Sequence, residues 1–145
     1  FNVSMPFRGS FEYSLDDRGR VAIPAKYRVE FPNNLAVITP TPEGCLRIFP
    51  EGAFQEMSEA FAETSATTVA GRRLRRAFDA NAFDAELDRQ GRILIPARLR
   101  ERAGLTGTVV VAGNRECLEL WNPEAWEREL ERAEAESPEE QRREE

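Results

Sequence analysis

The chain has 145 residues, 41% of them hydrophobic, which is enough to bury a core, and it contains no histidine. The absence of histidine excludes Ser-His-Asp and Cys-His catalysis and every histidine-containing zinc site. The net charge of −6 belongs to the C-terminal end, where ten acidic residues and four arginines lie between Pro123 and Glu145, so the neutral remainder does not exclude a nucleic-acid partner.

No apolar run is long enough to span a bilayer and no leader segment is evident, so we expect a cytoplasmic protein without a membrane partner. Met5 is the expected natural start, which sets residues 1–4 apart. Cys45 and Cys117 are expected to be buried and reduced, and two cysteines are too few for a cysteine-only zinc site. No phosphate-binding glycine motif occurs, so we expect no cofactor, no metal and no small-molecule substrate.

One unit is written twice along the chain, at a constant offset of 72 residues. Leu15–Arg28 reads LDDRGRVAIPAKYR, and Leu87–Arg100 reads LDRQGRILIPARLR. The same offset relates further landmarks, namely Phe11 and Phe83, Val37 and Val109, Cys45 and Cys117, and Phe54 and Trp126. Two copies are too few for a solenoid, so the repeat predicts one globule with pseudo-two-fold symmetry.

Each copy is predicted to contain four short strands, the first with the alternation of apolar residues that is typical of a half-buried strand. The eight strands are expected at 10–15, 20–23, 35–39 and 45–49, and at 83–88, 92–95, 109–112 and 117–121. Gly19 and Gly91 end the turns between the first two strands, where glycine can adopt a positive φ. Pro24 and Pro96 each suit the start of a short helix.

Helices are predicted after the last strand of each copy, because apolar residues recur there at helical spacing. These residues are Phe54, Met57 and Phe61, and then Trp126, Leu130 and Ala133. A further helix, from Ser65 to Ala80, carries four arginines, and the charged segment from Ser137 onward is expected to be disordered. The chain is therefore divided into a first half-motif (7–54), a helical connector (55–78), a second half-motif (79–126) and a C-terminal helix with an acidic tail (127–145).

Both copies carry the pattern Asp-x-x-x-Arg around the turn. The carboxylate and the guanidinium are expected to face each other, either as a salt bridge that closes the turn or as an aspartate-positioned arginine that reads a guanine edge. A second arginine in each turn, Arg18 or Arg89, favours DNA reading. A proton-sharing dyad of Asp16 and Asp88, as in aspartic proteases, is rejected because the adjacent arginines favour ionised carboxylates.

At these residues the sequence resembles the MraZ family of bacterial transcriptional regulators, which are not enzymes. The resemblance rests on Phe7-Arg8-Gly9, on Asp-x-x-Gly-Arg followed by a strand and Pro-Ala in both halves, and on Glu119-Leu120-Trp121. It implies an α+β, mainly β fold, in which two AbrB-like (SpoVT-AbrB) half-motifs interleave into one small pseudo-two-fold β-barrel with flanking helices. It also implies a closed ring of identical subunits that binds G-rich direct repeats in double-stranded DNA, upstream of the division and cell-wall gene cluster, in association with the nucleoid.

Carried over to this chain, the resemblance implies that Arg18 and Arg20 contact DNA, with Arg92 as the counterpart of Arg20 in the second copy. The predicted site is completed by Arg8 and Arg89 as further DNA-binding residues, and by Asp16 and Asp88 as supporting carboxylates. The position of Arg18 is held by Gln90 in the second copy, which leaves open whether the second turn contacts DNA or is structural or subunit-facing. Two alternatives remain, an interaction barrel that does not bind DNA, such as an AbrB-like antitoxin, and a structural ring scaffold.

Overall fold

A computed structural model describes residues 6–62 and 66–136, and within them eight strands and four α-helices follow the order that the sequence predicts. The strands are β1 (Ser10–Ser14), β2 (Arg20–Ala22), β3 (Leu35–Pro40), β4 (Leu46–Pro50), β5 (Phe83–Glu86), β6 (Arg92–Leu94), β7 (Thr108–Asn114) and β8 (Cys117–Trp121). The α-helices are α1 (Glu51–Ala62), α2 (Val69–Ala80), α3 (Ala97–Ala103) and α4 (Pro123–Ala135), and 3₁₀ helices span Ala25–Glu30 and Pro32–Asn34. The expectations for residues 1–4 and for the segment from Ser137 onward lie outside the described residues.

The two sequence copies are interleaved in a six-stranded antiparallel sheet with the order β1-β7-β8-β4-β3-β5. The first strand of each copy pairs with the third strand of the other copy, β1 with β7 and β5 with β3. Exchanging the copies reverses the strand order without otherwise changing it, so the predicted pseudo-two-fold arrangement is confirmed.

The offset of 72 residues does not hold throughout the sheet. Tyr13 lies opposite Val109, whereas its equivalent Ala85 lies opposite Ala36, so β7 is related to β3 by 73 residues. The prediction that Val37 and Val109 are equivalent is therefore wrong. The equivalent positions in β3 and β7 are set by which residues lie on the buried face of each strand, and not by the constant offset in sequence.

The sheet has apolar residues on both faces. On one face the core is covered by β2 and β6, and it includes Val21 and Ile93 of these strands and Ile38, Ile48, Val111 and Leu118 of the sheet. We call this side the ribbon face. On the other, helical face α1 and α4 pack on the sheet through Phe49 against Phe54 and through Trp121 against Trp126, with ring centroids 5.9 Å and 5.7 Å apart. Phe78 of α2 stacks on Phe54 at 5.2 Å, which attaches α2 to α1.

The expected closed barrel is wrong. Strands β1 and β5 are the two edges of an open sheet, and β2 pairs with β6 in a separate two-stranded ribbon. Each ribbon strand has only three residues, because an Asp–Gly turn (Asp16–Gly19 or Asp88–Gly91) precedes it and Pro24 or Pro96 follows closely. Strands this short do not connect β1 to β5 and so do not close the sheet. They lie across its ribbon face instead.

The prediction that both cysteines are buried is confirmed. Cys45 and Cys117 are both buried and both free. Burial raises the pKa of each thiol to about 12, which keeps both protonated and unreactive near neutral pH. In the part of the chain that the structure describes, no helix is both long enough and apolar enough to cross a membrane.

Candidate nucleic-acid interface

The first Asp–Gly turn is organised by a single carboxylate. Asp16 Oδ1 accepts hydrogen bonds from the backbone N–H groups of Arg18 and Arg20, each at 2.9 Å. Asp16 Oδ2 accepts one from Arg20 Nε at 2.7 Å. Gly19 has a φ of +83°, in the left-handed region that glycine adopts without strain. The predicted turn is therefore present, and its aspartate fixes both the backbone and the arginine.

The second turn repeats this geometry. Asp88 Oδ1 accepts from the backbone N–H groups of Gln90 and Arg92 at 2.9 Å, and Asp88 Oδ2 accepts from Arg92 Nε at 3.1 Å. Gly91 has a φ of +75°. Both copies of the motif therefore form the expected ion pair within the turn.

The structure also brings the two turns into one cluster, because β2 and β6 pair with each other. Arg92 Nη1 lies 3.4 Å from Asp16 Oδ2, and Arg20 Nη1 lies 3.8 Å from Asp88 Oδ2. Each aspartate therefore contacts the arginines of both copies. We call Asp16, Arg20, Asp88 and Arg92 the turn cluster. Its side chains are about one-quarter to one-third exposed, so solvent or a ligand can reach them.

The electrostatics of the turn cluster keep both aspartates ionised. The hydrogen bond from the Arg20 backbone, aided by the Arg20 side chain and the Arg18 backbone, lowers the pKa of Asp16 to about 2. The backbone hydrogen bond from Arg92 is the main cause that lowers the pKa of Asp88. Two ionised carboxylates held by arginines cannot share a proton, which supports rejecting the protease-like dyad.

Two further arginines buttress the turns, and neither was among the predicted site residues. Arg28 Nε donates to the carbonyl oxygen of Ile23 at 3.1 Å, and Arg100 Nε donates to that of Ile95 at 3.0 Å. Arg28 lies against Gly91 and Arg100 against Gly19, so close that a Cβ at either glycine would collide with the guanidinium. Each arginine therefore supports the turn of the other copy, and their common offset of 72 residues is the signal that could have identified them.

Arg18 and Arg89 are the exposed basic residues of the two turns. Within the described part of the chain, neither side chain forms an ion pair. With the turn cluster, the buttressing arginines and Asp17, the ribbon and the turns at its two ends combine six arginines with three aspartates. The surface is therefore locally basic on a chain with a net negative charge.

The outward face of the ribbon consists of four residues, because Val21 and Ile93 point into the core. Arg20 lies opposite Leu94, and Ala22 lies opposite Arg92. Leu94 is 53% exposed and is therefore a large apolar residue on the surface. The equivalent position of the first copy holds the smaller Ala22. Leu94 was not among the predicted site residues, although strand alternation places it on the same side of β6 as Arg92.

The structure does not bring Arg8 to the turn cluster. Its neighbour Phe7 forms a bridge with Arg115, and Gly113 N–H donates to the carbonyl oxygen of Gly9, both at the far end of β7. The turn follows the opposite end of β1, and strands rise about 3.4 Å per residue. Arg8 is exposed, and its backbone exchanges hydrogen bonds with the Tyr27 hydroxyl at 2.9 Å and 3.0 Å.

The chemistry available here is recognition of an anionic or hydrogen-bond-accepting partner. Arginine forks held by carboxylates are pre-organised donors for phosphate oxygens and for the O6 and N7 atoms of guanine. No group of three or more metal-ligating side chains occurs among residues 6–62 and 66–136.

Comparison with known proteins identifies the repeat. A family model described as "MraZ protein, putative antitoxin-like" matches twice, at residues 6–77 and 78–145. A Transcriptional regulator MraZ of Nitrosomonas eutropha is 42% identical over 132 residues, covering 89% of both chains. That of Thermomicrobium roseum is 39% identical over 91% of this chain and 92% of its own.

A further bacterial relative has a similar sequence identity to this chain, whereas a matched solved structure has a much lower one. The Transcriptional regulator MraZ of Deinococcus radiodurans is 40% identical over 92% of this chain and 93% of its own. The solved structure of PHS018 from Pyrococcus horikoshii is 16% identical over 80% of this chain and 89% of its own, and its TM-score of 0.33 is too low to assign a shared fold. Because the family model covers both halves and these relatives align over nearly the whole length, the chain belongs to the MraZ family, whose members named here are transcriptional regulators and not enzymes.

Proposed function

We propose that this protein is a sequence-specific regulator that binds double-stranded DNA through the ribbon and its two turns. The observation that carries the proposal is the turn cluster, in which Asp16 and Asp88 hold Arg20 and Arg92 on the outward face of a short two-stranded ribbon. The major groove of B-DNA admits such a ribbon, and arginine paired with guanine is the commonest specific contact there.

Arg20 and Arg92 have different tasks from Arg18 and Arg89 in this proposal. The first pair is fixed by carboxylates, which reduces the entropy lost when a guanidinium aligns with a guanine edge. The second pair is exposed and free to reach phosphate oxygens on either side of the groove. Leu94 adds an apolar side chain next to Arg20, which suits contact with a thymine methyl group.

The family resemblance suggests what the regulator binds and how it is assembled. Its operator consists of G-rich direct repeats upstream of the division and cell-wall gene cluster, and it acts in the cytoplasm on the nucleoid. Several copies form a closed ring, because direct repeats call for head-to-tail contacts and one ribbon offers few phosphate contacts. Half-motifs 7–54 and 79–126 together form one DNA-binding unit, and segments 55–78 and 127–145 lie outside it.

A fluorescence anisotropy titration tests the DNA-binding function. One labelled duplex carries two G-rich direct repeats, and a second has the same base composition in scrambled order. At about 0.15 M salt we expect the repeat duplex to bind at least tenfold more tightly, a modest part of the usual specificity range. Equal, weak binding of both duplexes would reject sequence-specific recognition, and no binding to either would favour an antitoxin-like module or a ring scaffold.

A further inference from the structure

Two helices on the helical face carry exposed charges of opposite sign. Residues Val69, Arg72, Arg73 and Arg76 of α2 follow the spacing i, i+3, i+4, i+7 and are all exposed. They therefore share one side of the helix, which faces away from the buried Gly71. We call Arg72, Arg73 and Arg76 the basic stripe.

The side of α4 that faces away from the sheet is mainly acidic, with the exposed Arg128 beside the acidic residues. Glu124, Glu127, Glu131 and Glu134 are exposed and follow the spacing i, i+3, i+7, i+10, which keeps them on one side of the helix. Leu130 lies beside this row and is 43% exposed. Val69, which lies within the corresponding row on α2, is 59% exposed. We call the four glutamates the acidic stripe.

Neither stripe is neutralised within the part of the chain that the structure describes. None of the three arginines forms an ion pair there, and the single ion pair of α4 joins Arg132 to Glu129, outside the acidic stripe, at 3.9 Å. The Arg72 side chain donates to the Ala66 carbonyl oxygen at 3.3 Å, which leaves Arg73 and Arg76 as the freest charges of the basic stripe.

The two stripes lie toward different ends of the helical face. Helix α4 packs on β7, whereas α2 stacks on α1, which packs on β3 and β4. In the sheet order β8 separates β7 from β4, so the stripes point to different neighbours of the protomer. A contact between two different surfaces of identical chains is heterologous and repeats from one copy to the next.

We propose that the basic stripe on α2 of one protomer docks on the acidic stripe on α4 of a second copy. The inference deepens the head-to-tail assembly proposed above and rests on it. Charge complementarity selects the partner, and Val69 and Leu130 supply apolar contact within the charged surfaces. Because both stripes belong to the helical face, this assembly leaves the ribbon face of every copy free for DNA.

Charge reversal tests the contact without DNA, so its outcome is independent of the proposed DNA binding. The protein is studied by light scattering and analytical ultracentrifugation at micromolar concentration. R73E/R76E and E127R/E131R should each raise the dissociation constant of self-association on the order of a hundredfold, since each places like charges together. The combined variant R73E/R76E/E127R/E131R exchanges the two signs and should assemble again.

R98E/R102E is the matched control, because it reverses two exposed arginines of α3 on the ribbon face and makes the same change in net charge. It should assemble as the unmodified protein does. Raising the salt concentration from about 0.1 M to 1 M shortens the Debye length from about 10 Å to 3 Å, so the unmodified assembly should weaken. This salt series tests the proposal even if a reversed variant fails to fold.

Four results would overturn the inference. They are a monomeric unmodified protein, reversed variants that assemble normally, a fourfold variant that stays dispersed while folded, and an assembly that is indifferent to salt.

Discussion

Arg18 and Arg20 lie two residues apart but differ in whether the guanidinium forms ion pairs within the protein. Arg20 contacts Asp16 and Asp88 and is about one-quarter exposed, whereas Arg18 is exposed and forms no ion pair among the described residues. A guanidinium held in this way supports recognition of one defined group, and a free one supports attraction to phosphate. The proposed division between base reading and phosphate contact follows from this difference.

Arg20→Ala should lower the affinity for the G-rich repeat duplex by about 1–3 kcal/mol, because it removes the proposed bidentate contact with guanine. The loss should be much smaller on the scrambled duplex, so specificity should relax. Arg20→Lys keeps the charge without the planar fork and should restore little specificity. Anisotropy titrations of both duplexes measure these changes, and unchanged affinity in a folded Arg20→Ala variant would contradict the assignment.

Asp16→Asn decides whether this carboxylate positions the arginines or only repels DNA. Asparagine retains an oxygen that can accept from the Arg18 and Arg20 backbone but removes the negative charge. If Asp16 positions Arg20 and Arg92, binding to the repeat duplex should weaken about tenfold, the scale of one charge-assisted hydrogen bond. Asp17→Asn removes the same charge from an exposed neighbour and serves as the control. Tighter binding by Asp16→Asn would show that repulsion dominates.

Stability should depend on Asp16 in a defined acidic range. Its pKa lies at about 2 in the folded protein, below the ordinary 3.8, so the ionised form stabilises the fold above about pH 4. This contribution is lost as the pH falls from about 4 toward 2. Thermal melting temperatures should therefore converge between the unmodified protein and Asp16→Asn over this range. A constant difference from pH 6 to pH 2 would be inconsistent with the lowered pKa of Asp16.

At the residue scale, the sequence predicted the pairs Asp16–Arg20 and Asp88–Arg92 because each lies within one turn. It did not predict the contacts of Arg20 with Asp88 and of Arg92 with Asp16. These depend on the pairing of β2 with β6, which joins residues seventy or more positions apart. Local spacing contains no information about such a pairing.

At the scale of elements, the ribbon is held by both copies at once. Ile23 N–H donates to the Gly91 carbonyl oxygen at 2.9 Å, and Ile95 N–H donates to that of Gly19 at 3.0 Å. Each turn is therefore attached to the end of the opposite ribbon strand and supported there by Arg28 or Arg100. Neither copy can form this arrangement alone.

Gly91→Ala and Gly44→Ala form a matched pair of variants. Together they separate the cost of backbone strain from the loss of the support that Arg28 gives to the second turn. Both glycines have a positive φ, but a Cβ at Gly44 meets nothing within 4 Å, whereas one at Gly91 would displace Arg28. Gly44→Ala should cost roughly 1–2 kcal/mol of unfolding free energy from backbone strain. Gly91→Ala should cost about 1 kcal/mol more, because Arg28 loses its hydrogen bond to Ile23. Urea midpoints measure both values, and an equal loss would show that Arg28 does not support the turn.

Most elements could be predicted from the sequence, because alternation, turn glycines and helical spacing are local signals. The helix predicted from Ser65 is described as α2 from Val69, where the Thr68 side chain accepts from Gly71 N–H at 3.0 Å and caps the helix. The closed barrel was wrong because closure depends on which strands meet at the edges. The one-residue shift between β3 and β7 was hidden for a similar reason, since the buried face and not the alignment sets strand register.

At the scale of the whole molecule, the pseudo-two-fold arrangement separates two surfaces. The ribbon face presents the two turns together, and the helical face carries α1, α2 and α4. Two surfaces on opposite sides of one sheet allow copies to associate through the helices while each ribbon remains accessible. We therefore expect DNA to bind on the ribbon face.

Hydrogen–deuterium exchange of the unmodified protein, with and without the G-rich repeat duplex, tests this claim most directly. On DNA binding we expect slower exchange in segments 16–23 and 88–95, which contain both turns and the ribbon, and no further change on α2 beyond that caused by assembly alone. The scrambled duplex should protect these segments less at the same concentration. Protection of α2 with unchanged exchange at both turns would contradict the account, since it would place DNA on the helical face.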